Sequence, residues 1–381
     1  LPITLSHRLS ARLNGPKRAV TALLNARLIP MIDDLVATAE RTLAERGVSA
    51  PLMVVRGNGS LVSAAFVRDR PIETILSGPA ASLVGAAHLT NIEDAVIADM
   101  GGTTTDIAVL RGGQPDFSAD GAHVGGHQTM VEAVRMFTHG LGGDSEISLP
   151  DLASARAGTV LVAGPRRVIP LCLLAEEHRD LMERELRRQI EAPIPNELHG
   201  RFILPIDTTR EPVVDRSEAE LLAAVADGPQ PAAKIVTTAI KRLALDRLVG
   251  RGLVRASGFT PTDASHVLGT QTHHDRAISV LGAAVLARQR DRYGNDIASG
   301  PEEVSEIVVA TVERRSAELM LEASFAHDGL DPRAVNSDLV RAALDRQTTT
   351  TVVQVGLAVP LVGLGGPAAT YYPAVAAQLG V

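Results

Sequence analysis

Two acidic residues flank a short run of glycine and threonine in VIADMGGTTTDIAVL, residues 96–110. The run itself is Gly101, Gly102, Thr103, Thr104 and Thr105, with Asp99 before it and Asp106 after it. Glycine lets the main chain approach a phosphate closely, and the amides and hydroxyls of such a turn hold phosphate oxygens. Asp99 suits magnesium or its waters, because that cation takes oxygen ligands. The alternative is a plain hairpin in which threonine is favoured for its β propensity.

Two further turns carry a glycine pair where an apolar segment becomes a predicted helix. GLGGDS contains Gly142, Gly143, Asp144 and Ser145, and GLGGPAATYYPAVAAQLG contains Gly365 and Gly366. Asp144 could instead be a helix N-cap, and the last glycine pair could serve only close packing of a helix on a sheet. Three such turns on one chain predict that they converge around a single triphosphate.

The elements that must position these turns alternate between strand and helix. Apolar spacing predicts strands over 94–100 and 106–110, and two strands before the last glycine pair. Helices are predicted over 20–47, 74–89 with Ser77 as N-cap, 129–139, 174–190, 275–292 and 301–326. The sequence therefore predicts an α/β protein, and 381 residues favour two lobes over a single core.

Composition excludes several functions. The formal net charge of -7 gives no support to nucleic-acid binding. The apolar run over 352–364 is interrupted by glycine and proline and is too short for a membrane helix. A single cysteine, Cys172, forms no internal disulfide and favours a reducing compartment, so we expect the cytoplasm. Its apolar neighbours predict an inert, buried thiol.

Several polar residues suggest sites that their spacing does not support. His123, His127, His139 and Asp144 lie close in sequence, but they lack the paired ligand spacing of a metal site, and we expect surface or hydrogen-bonding histidines. Adjacent His273 and His274 should point apart. Arg166 and Arg167 could attract an anionic substrate or partner, but on a polar loop we expect a solvated pair.

The three turns, in their order, resemble the ATPase fold shared by actin, heat-shock chaperones and sugar kinases. More narrowly, six segments resemble the hydantoinase A and 5-oxoprolinase family, which includes acetone carboxylase beta-like proteins. These segments are TALLNARLIP, VVRGNGSLVS, TILSGPAASLVGAA, IADMGGTTTDIAVL, GLGGDS and PTDASHVLG. The resemblance implies an actin-like (ribonuclease H-like) α/β fold of two lobes, the first lobe incomplete.

The resemblance implies ATP-dependent opening of a cyclic amide, in which the carbonyl oxygen is phosphorylated. Asp99 would position magnesium and water, with Asp106 as the second catalytic acid. Gly101–Thr105 would hold the β and γ phosphates, Gly142–Ser145 would meet ribose or phosphate, and Gly365 and Gly366 would meet adenosine. Asn58, on a turn that matches a substrate-side loop of the family, would contact the substrate.

The resemblance also sets expected boundaries. Residues 1–92 would be the remnant of the first ATPase lobe with a connecting helix, 93–150 and 236–381 the second lobe, and 151–235 an inserted subdomain. Family members carry another phosphate loop near their amino end, and no such segment lies within this sequence. We therefore expect either an upstream region or a second catalytic subunit to complete the site.

Two departures from the family bear on function. GLGGDS stands where the family usually has GAGGGS, so Asp144 places a negative charge beside the expected phosphate path. VLVAGPRRVIPLCLLAEEH replaces a family stretch that leads into a Cys and Tyr pair. The alternatives to a cyclic amide hydrolase are a subunit of an ATP-dependent ketone carboxylase and an ATPase-fold pseudoenzyme with a regulatory or structural role.

Overall fold

The computed structural model describes residues 3–118, 121–124, 126–151, 159–206, 212–346 and 348–381. Helices and strands alternate along most of this length, which confirms a mixed α/β protein. Every helix in these ranges is too short or too polar to span a bilayer.

The helices follow the predicted spacing in most places. They are α1 (Ser6–Leu9), α2 (Gly15–Glu45), α3 (Ala64–Asp69), α4 (Ser77–Thr90), α5 (Leu171–Glu191), α6 (Arg216–Val225), α7 (Ala232–Ile235), α8 (Ala239–Gly250), α9 (Pro261–Leu268), α10 (Arg276–Ala287), α11 (Pro301–His327), α12 (Asp338–Asp345) and α13 (Ala368–Leu379). Short 3₁₀ turns cover Pro71–Thr74 and Pro332–Asn336.

The strands are short, and several have only two residues. They are β1 (Met53–Val55), β2 (Leu61–Ser63), β3 (Ala95–Met100), β4 (Thr105–Arg111), β5 (Gln114–Pro115), β6 (His123–Val124), β7 (His127–Gln128), β8 (Phe137–His139), β9 (Ser145–Ser148), β10 (Val162–Arg167), β11 (Ile169–Pro170), β12 (Phe202–Pro205), β13 (Gln230–Pro231), β14 (Val254–Gly258) and β15 (Leu361–Leu364).

The central sheet has the order β15-β3-β4-β5, and β8 also pairs with β4. Strand β3 is apolar on both faces because helices cover both of them. Val96, Ala98 and Met100 lie in a core with residues of α11 and α13, whereas Ala95 and Ile97 pack with residues of α4. A strand buried on both faces reads as a continuous apolar run, which explains the sequence of β3.

A second sheet has the order β11-β14-β12-β13. Helices α6 and α8 supply one of its cores, which includes Leu221, Leu248 and Val254. Helices α5, α9 and α10 form another core with Phe202 and Leu204. Strand β14 lies outside the expected insert, 151–235, but it pairs with β11 and β12, which lie inside it.

Three local predictions were wrong. Residues 129–136 form no helix, because the amides of Thr129 and Val134 donate to Ala122 and Gly57 instead of within a helical turn. Ser77 is the first residue of α4, while the N-cap position belongs to residue 76, in a left-handed conformation. The first of the two strands predicted before the last glycine pair is absent, and the segment lies against the end of α13 instead.

A buried carboxylate joins the starts of three helices. Asp263, fully buried in the first turn of α9, accepts hydrogen bonds from the amides of Leu171 (3.1 Å) and Cys172 (2.8 Å), which begin α5. It also accepts from the amide and hydroxyl of Thr260, at 3.0 and 2.8 Å, and from the hydroxyl of Ser279 in α10, at 3.2 Å. Burial raises the pKa of Asp263, but these donors all favour the carboxylate.

We expect Asp263→Asn to lower the free energy of unfolding by about 3 kcal/mol, because an amide nitrogen would face donors that keep no acceptor. Urea denaturation measures this change. Asp331→Asn is the matched control, since this exposed carboxylate caps a 3₁₀ turn where Asn is an equally good cap. Equal losses in the two variants would contradict a special role for Asp263.

Candidate functional site

The three glycine turns lie at one edge of the central sheet. Strand β15 runs parallel to β3, and Leu364 pairs with Asp99. Strand β4 runs antiparallel to both β3 and β8, and Thr105 at its start pairs with Met100 and with His139. The ends of β3, β8 and β15 therefore meet, and the chain leaves each of them through a glycine turn.

The first and second turns interlock through their backbones. Gly143 donates its amide to the carbonyl of Gly101 (3.0 Å), and Asp144 donates to the carbonyl of Gly102 (2.8 Å). A Cβ on Gly142 would lie 2.5 Å from the carbonyl oxygen of Gly101, so only glycine fits there. The hydroxyl of Thr105 also links the two turns, because it donates to the carbonyl of Leu141 at 2.7 Å.

The third turn joins them through Gly365. This residue has a φ of +91°, and a Cβ on it would lie 2.1 Å from the carbonyl oxygen of Met100 and 3.0 Å from Oδ1 of Asp99. Gly366 differs, since a Cβ there would meet nothing within 4 Å. The close approach of the third turn therefore depends on Gly365, while Gly366 faces open space.

The amides of the first two turns have different partners. In the second turn, the amides of Gly142, Gly143, Asp144 and Ser145 all donate within the protein. In the first turn, the amide of Gly101 bonds to the carbonyl of Thr104, whereas those of Gly102, Thr103 and Thr104 donate to no acceptor among the described residues. The first turn is thus the part that can offer amides to an anion.

Asp99 and Asp106 lie directly opposite each other on β3 and β4. The hydroxyl of Thr138 donates to Oδ1 of Asp106 at 2.5 Å. Burial, followed by the charge of Asp99, raises the pKa of Asp106 above its ordinary value. The carboxylate of Asp99 makes no hydrogen bond or ion pair with any described residue, so it is free to meet a cation.

No group of three or more His, Cys, Asp or Glu residues close enough to hold a metal ion occurs in the described ranges. Two carboxylates at the mouth of a phosphate-type turn still suit magnesium, which keeps several of its waters and takes its remaining ligands from phosphates. His123 and His127 lie exposed on β6 and β7, away from the turns. His139 lies beside the first turn, opposite Thr105, and burial lowers its pKa.

Arg167 forms an ion pair with Asp144. Oδ2 of Asp144 accepts from Nε (3.1 Å) and Nη2 (3.0 Å) of Arg167. Both arginine side chains are solvent-exposed as expected, but each also pairs with a carboxylate; the partner of Arg166 is Asp246 at 3.3 Å. The pairing of Arg167 with Asp144, which places this arginine beside the second turn, was not predicted.

Thr262 is a second residue that sequence reasoning missed. Its amide (3.0 Å) and its hydroxyl (2.8 Å) both donate to the carbonyl of Gly143, which fixes the second turn to the start of α9. The segment PTDASHVLG carried the signal, because it belongs to the resemblance but had no role assigned.

Asn58 lies apart from the three turns. It lines a groove of about 660 Å³ with residues of α4 and with Leu110 and Gly113, at the opposite end of the β3–β4 hairpin. Its Oδ1 accepts from the amide and hydroxyl of Ser60, at 3.1 and 2.7 Å, which is a local turn. The structure does not bring Asn58 together with the predicted phosphate residues.

The other polar candidates have structural partners. The rings of His273 and His274 lie 4.5 Å apart between centroids, because they occupy a turn, so the prediction that they point apart was wrong. His266 beside them contacts the Thr262 carbonyl through Nδ1 (2.8 Å) and the His274 amide through Nε2 (3.1 Å), which leaves no nitrogen for a metal. Cys172 is fully buried and its pKa is raised by burial, as expected of an inert thiol.

Known proteins share the segment that carries the first two turns. Residues 18–163 match the hydantoinase/oxoprolinase family. The predicted resemblance to this family is thereby confirmed over these residues. The caprolactamase subunit alpha of Pseudomonas jessenii is 28% identical over 155 residues, which is 40% of this chain and 22% of that protein. The acetophenone carboxylase gamma subunit of Aromatoleum aromaticum is 31% identical over 114 residues, 29% of this chain and 15% of that protein.

A solved structure extends the likeness to the fold. The ATP-dependent caprolactamase from Pseudomonas jessenii aligns with a TM-score of 0.52 and 19% identity over 99% of this chain and 40% of its own. This likeness shows a shared fold. The aligned part of this chain covers less than a quarter of the length of each curated relative named above.

We expect Gly142→Ala to destabilise the protein by about 2–3 kcal/mol, since the added methyl group would meet backbone atoms that cannot move aside. Gly366→Ala, in the neighbouring turn, should change stability by less than about 0.5 kcal/mol because its surroundings are open. Urea denaturation of both variants measures the difference. A tolerated Gly142→Ala would contradict the interlocked turns.

We expect Asp99→Asn to lower the pKa of Asp106, because a like charge is removed, while burial keeps that pKa above the ordinary value. Thr138→Val should raise it further, because the hydroxyl that stabilises the carboxylate is lost. Carbon-13 NMR titration of the aspartate carboxyls reports both shifts. Shifts in the same direction would show that the two partners do not act as described.

Proposed function

We propose that this chain binds ATP with magnesium and carries the phosphoryl-transfer part of a hydantoinase/oxoprolinase-type enzyme. The observation that carries the proposal is the meeting of three glycine turns at one sheet edge. There, the amides of Gly102, Thr103 and Thr104 lack an acceptor among the described residues, and the carboxylate of Asp99 lies at the end of the adjoining strand. Phosphoryl transfer depends mainly on positioning and charge neutralisation, which such an arrangement supplies.

The fold that we propose is that of the actin-like ATPases. In this proposal, residues 93–150 and 236–381 form the second lobe, 151–235 an insert, and 1–92 a part of the first lobe. The order of the three turns along the chain supports it.

Each part of the site has a proposed task. The amides of Gly102–Thr104 bind oxygens of the β and γ phosphates. Asp99 holds magnesium or its waters, and the ion supplies neutralisation of phosphate charge. The second turn supports the first, and Gly366, which has open space beside it, faces the nucleoside.

The proposed substrate is a cyclic amide. Its carbonyl oxygen takes the γ-phosphoryl group and ADP leaves. Water adds to the activated carbon, and the ring C–N bond opens to give an amine, which takes a proton, and an acyl phosphate. A second water then hydrolyses the acyl phosphate to the carboxylate and phosphate. The caprolactamase relative supports this choice, and the names of both curated relatives identify them as subunits, which supports a second subunit as partner. The acetophenone carboxylase relative favours one other candidate, carboxylation of a ketone after the same phosphoryl transfer.

We expect the full-length protein to bind ATP only with magnesium, and Asp99→Asn to weaken that binding about tenfold or more, through loss of a charged ligand to the ion. Isothermal titration calorimetry with ATP, in magnesium and in EDTA, measures it. Asp94→Asn is the matched control, because this carboxylate is exposed at the other end of β3. Equal affinities in wild type and Asp99→Asn would remove Asp99 from its role, and no binding by the wild type would contradict the proposed function.

A further inference from the structure

Arg167 is held beside the first glycine turn by a single carboxylate oxygen. Its Nε and Nη2 both donate to Oδ2 of Asp144, at 3.1 and 3.0 Å. Strand β10 ends at Arg167, which pairs with Ser145 in β9, so the backbone places the guanidinium next to the second turn. The side chain is 61% exposed, whereas that of Asp144 is 18% exposed.

The carboxylate of Asp144 lies directly over the first turn. Oδ2 of Asp144 is 2.6 Å from the position that a Cβ on Gly102 would take. The backbone amide of Asp144 donates to the carbonyl of Gly102 at 2.8 Å. Asp144 therefore holds the guanidinium of Arg167 next to the first turn. In that turn the amides of Gly102, Thr103 and Thr104 meet no acceptor within the described ranges.

The guanidinium has donors left for a second partner. It carries five N–H groups in a planar fork, and the contacts with Asp144 use two of them. The remaining donors make no contact with a described residue and lie on an exposed group. A planar fork of this kind matches the geometry of phosphate oxygens.

A phosphate chain at the first turn needs a cation that offsets the negative charge of Asp144. A carboxylate alone over three unengaged amides would repel a phosphate chain, because like charges in a partly buried site are poorly screened. Arg167 cancels the charge of Asp144 and leaves the amides to set the local preference for anions.

We propose that Arg167 contacts the polyphosphate chain of the nucleotide bound at the first turn, and that Asp144 is the residue that positions it. The inference rests on the proposed function and adds an arginine that selects for phosphate. Adenosine, which has no phosphate, gains nothing from this contact.

A purely structural role makes a different prediction. If Arg167 only neutralised Asp144, its loss would weaken ATP binding through the exposed negative charge of Asp144. Removing that charge as well would then restore binding. If Arg167 contacts the phosphates, the double variant stays weak, because the contact itself is gone.

The experiment measures magnesium-ATP and adenosine binding to the full-length protein by calorimetry. The variants are Arg167→Gln, Asp144→Asn and the double variant Asp144→Asn/Arg167→Gln. Arg166→Gln is the matched control, since it removes the same charge from the adjacent residue, which instead pairs with Asp246 at 3.3 Å and Glu146 at 3.7 Å. Thermal unfolding of each variant checks that it is folded.

We expect Arg167→Gln to weaken ATP binding about 10- to 100-fold, as for the loss of a charge-assisted hydrogen-bonded pair. Adenosine binding should not change, the double variant should stay weak, and Arg166→Gln should bind ATP as the wild type does. Recovery of ATP affinity in the double variant, or an equal loss in Arg166→Gln, would overturn the proposal while the wild type still binds ATP. Absence of ATP binding by the wild type would overturn the proposed function and this inference together.

Discussion

The site depends on the buried carboxylate of Asp263. A carboxylate in a dry interior is stable only when donors surround it, and here the donors are the starts of α5, α9 and α10. Meeting this requirement fixes the three helices relative to one another. Because Thr262 in the same turn binds the carbonyl of Gly143, the position of the second glycine turn follows from the same constraint.

The turns divide their tasks by where their amides go. The second turn uses its amides on its own Ser145 and on the carbonyls of Gly101 and Gly102, so it acts as a scaffold for the first. In the first turn, the amides of Gly102, Thr103 and Thr104 have no acceptor among the described residues. The carboxylates of Asp99 and Asp106 lie at the two ends of this turn.

Sequence reasoning found what is local and missed what is distant. The turns at Gly101, Gly142 and Gly365 could be predicted to meet from their shared glycine pairs, and the structure places them at one sheet edge. The helix predicted over 129–139 failed because distant backbone groups take its amides. Arg167 and Thr262 could not be assigned, since their partners lie 23 and 119 positions away and only folding brings them together.

The parallel pairing of β15 with β3 has a consequence for biosynthesis. The ribosome makes the chain in order, so β3 and the first two turns leave it long before Leu361 and Gly365. A nascent chain therefore lacks the third glycine turn beside the first two until β15 pairs with β3. Closing so long a loop is entropically slow, so the third turn joins the first two only after this long-range strand pairing has formed.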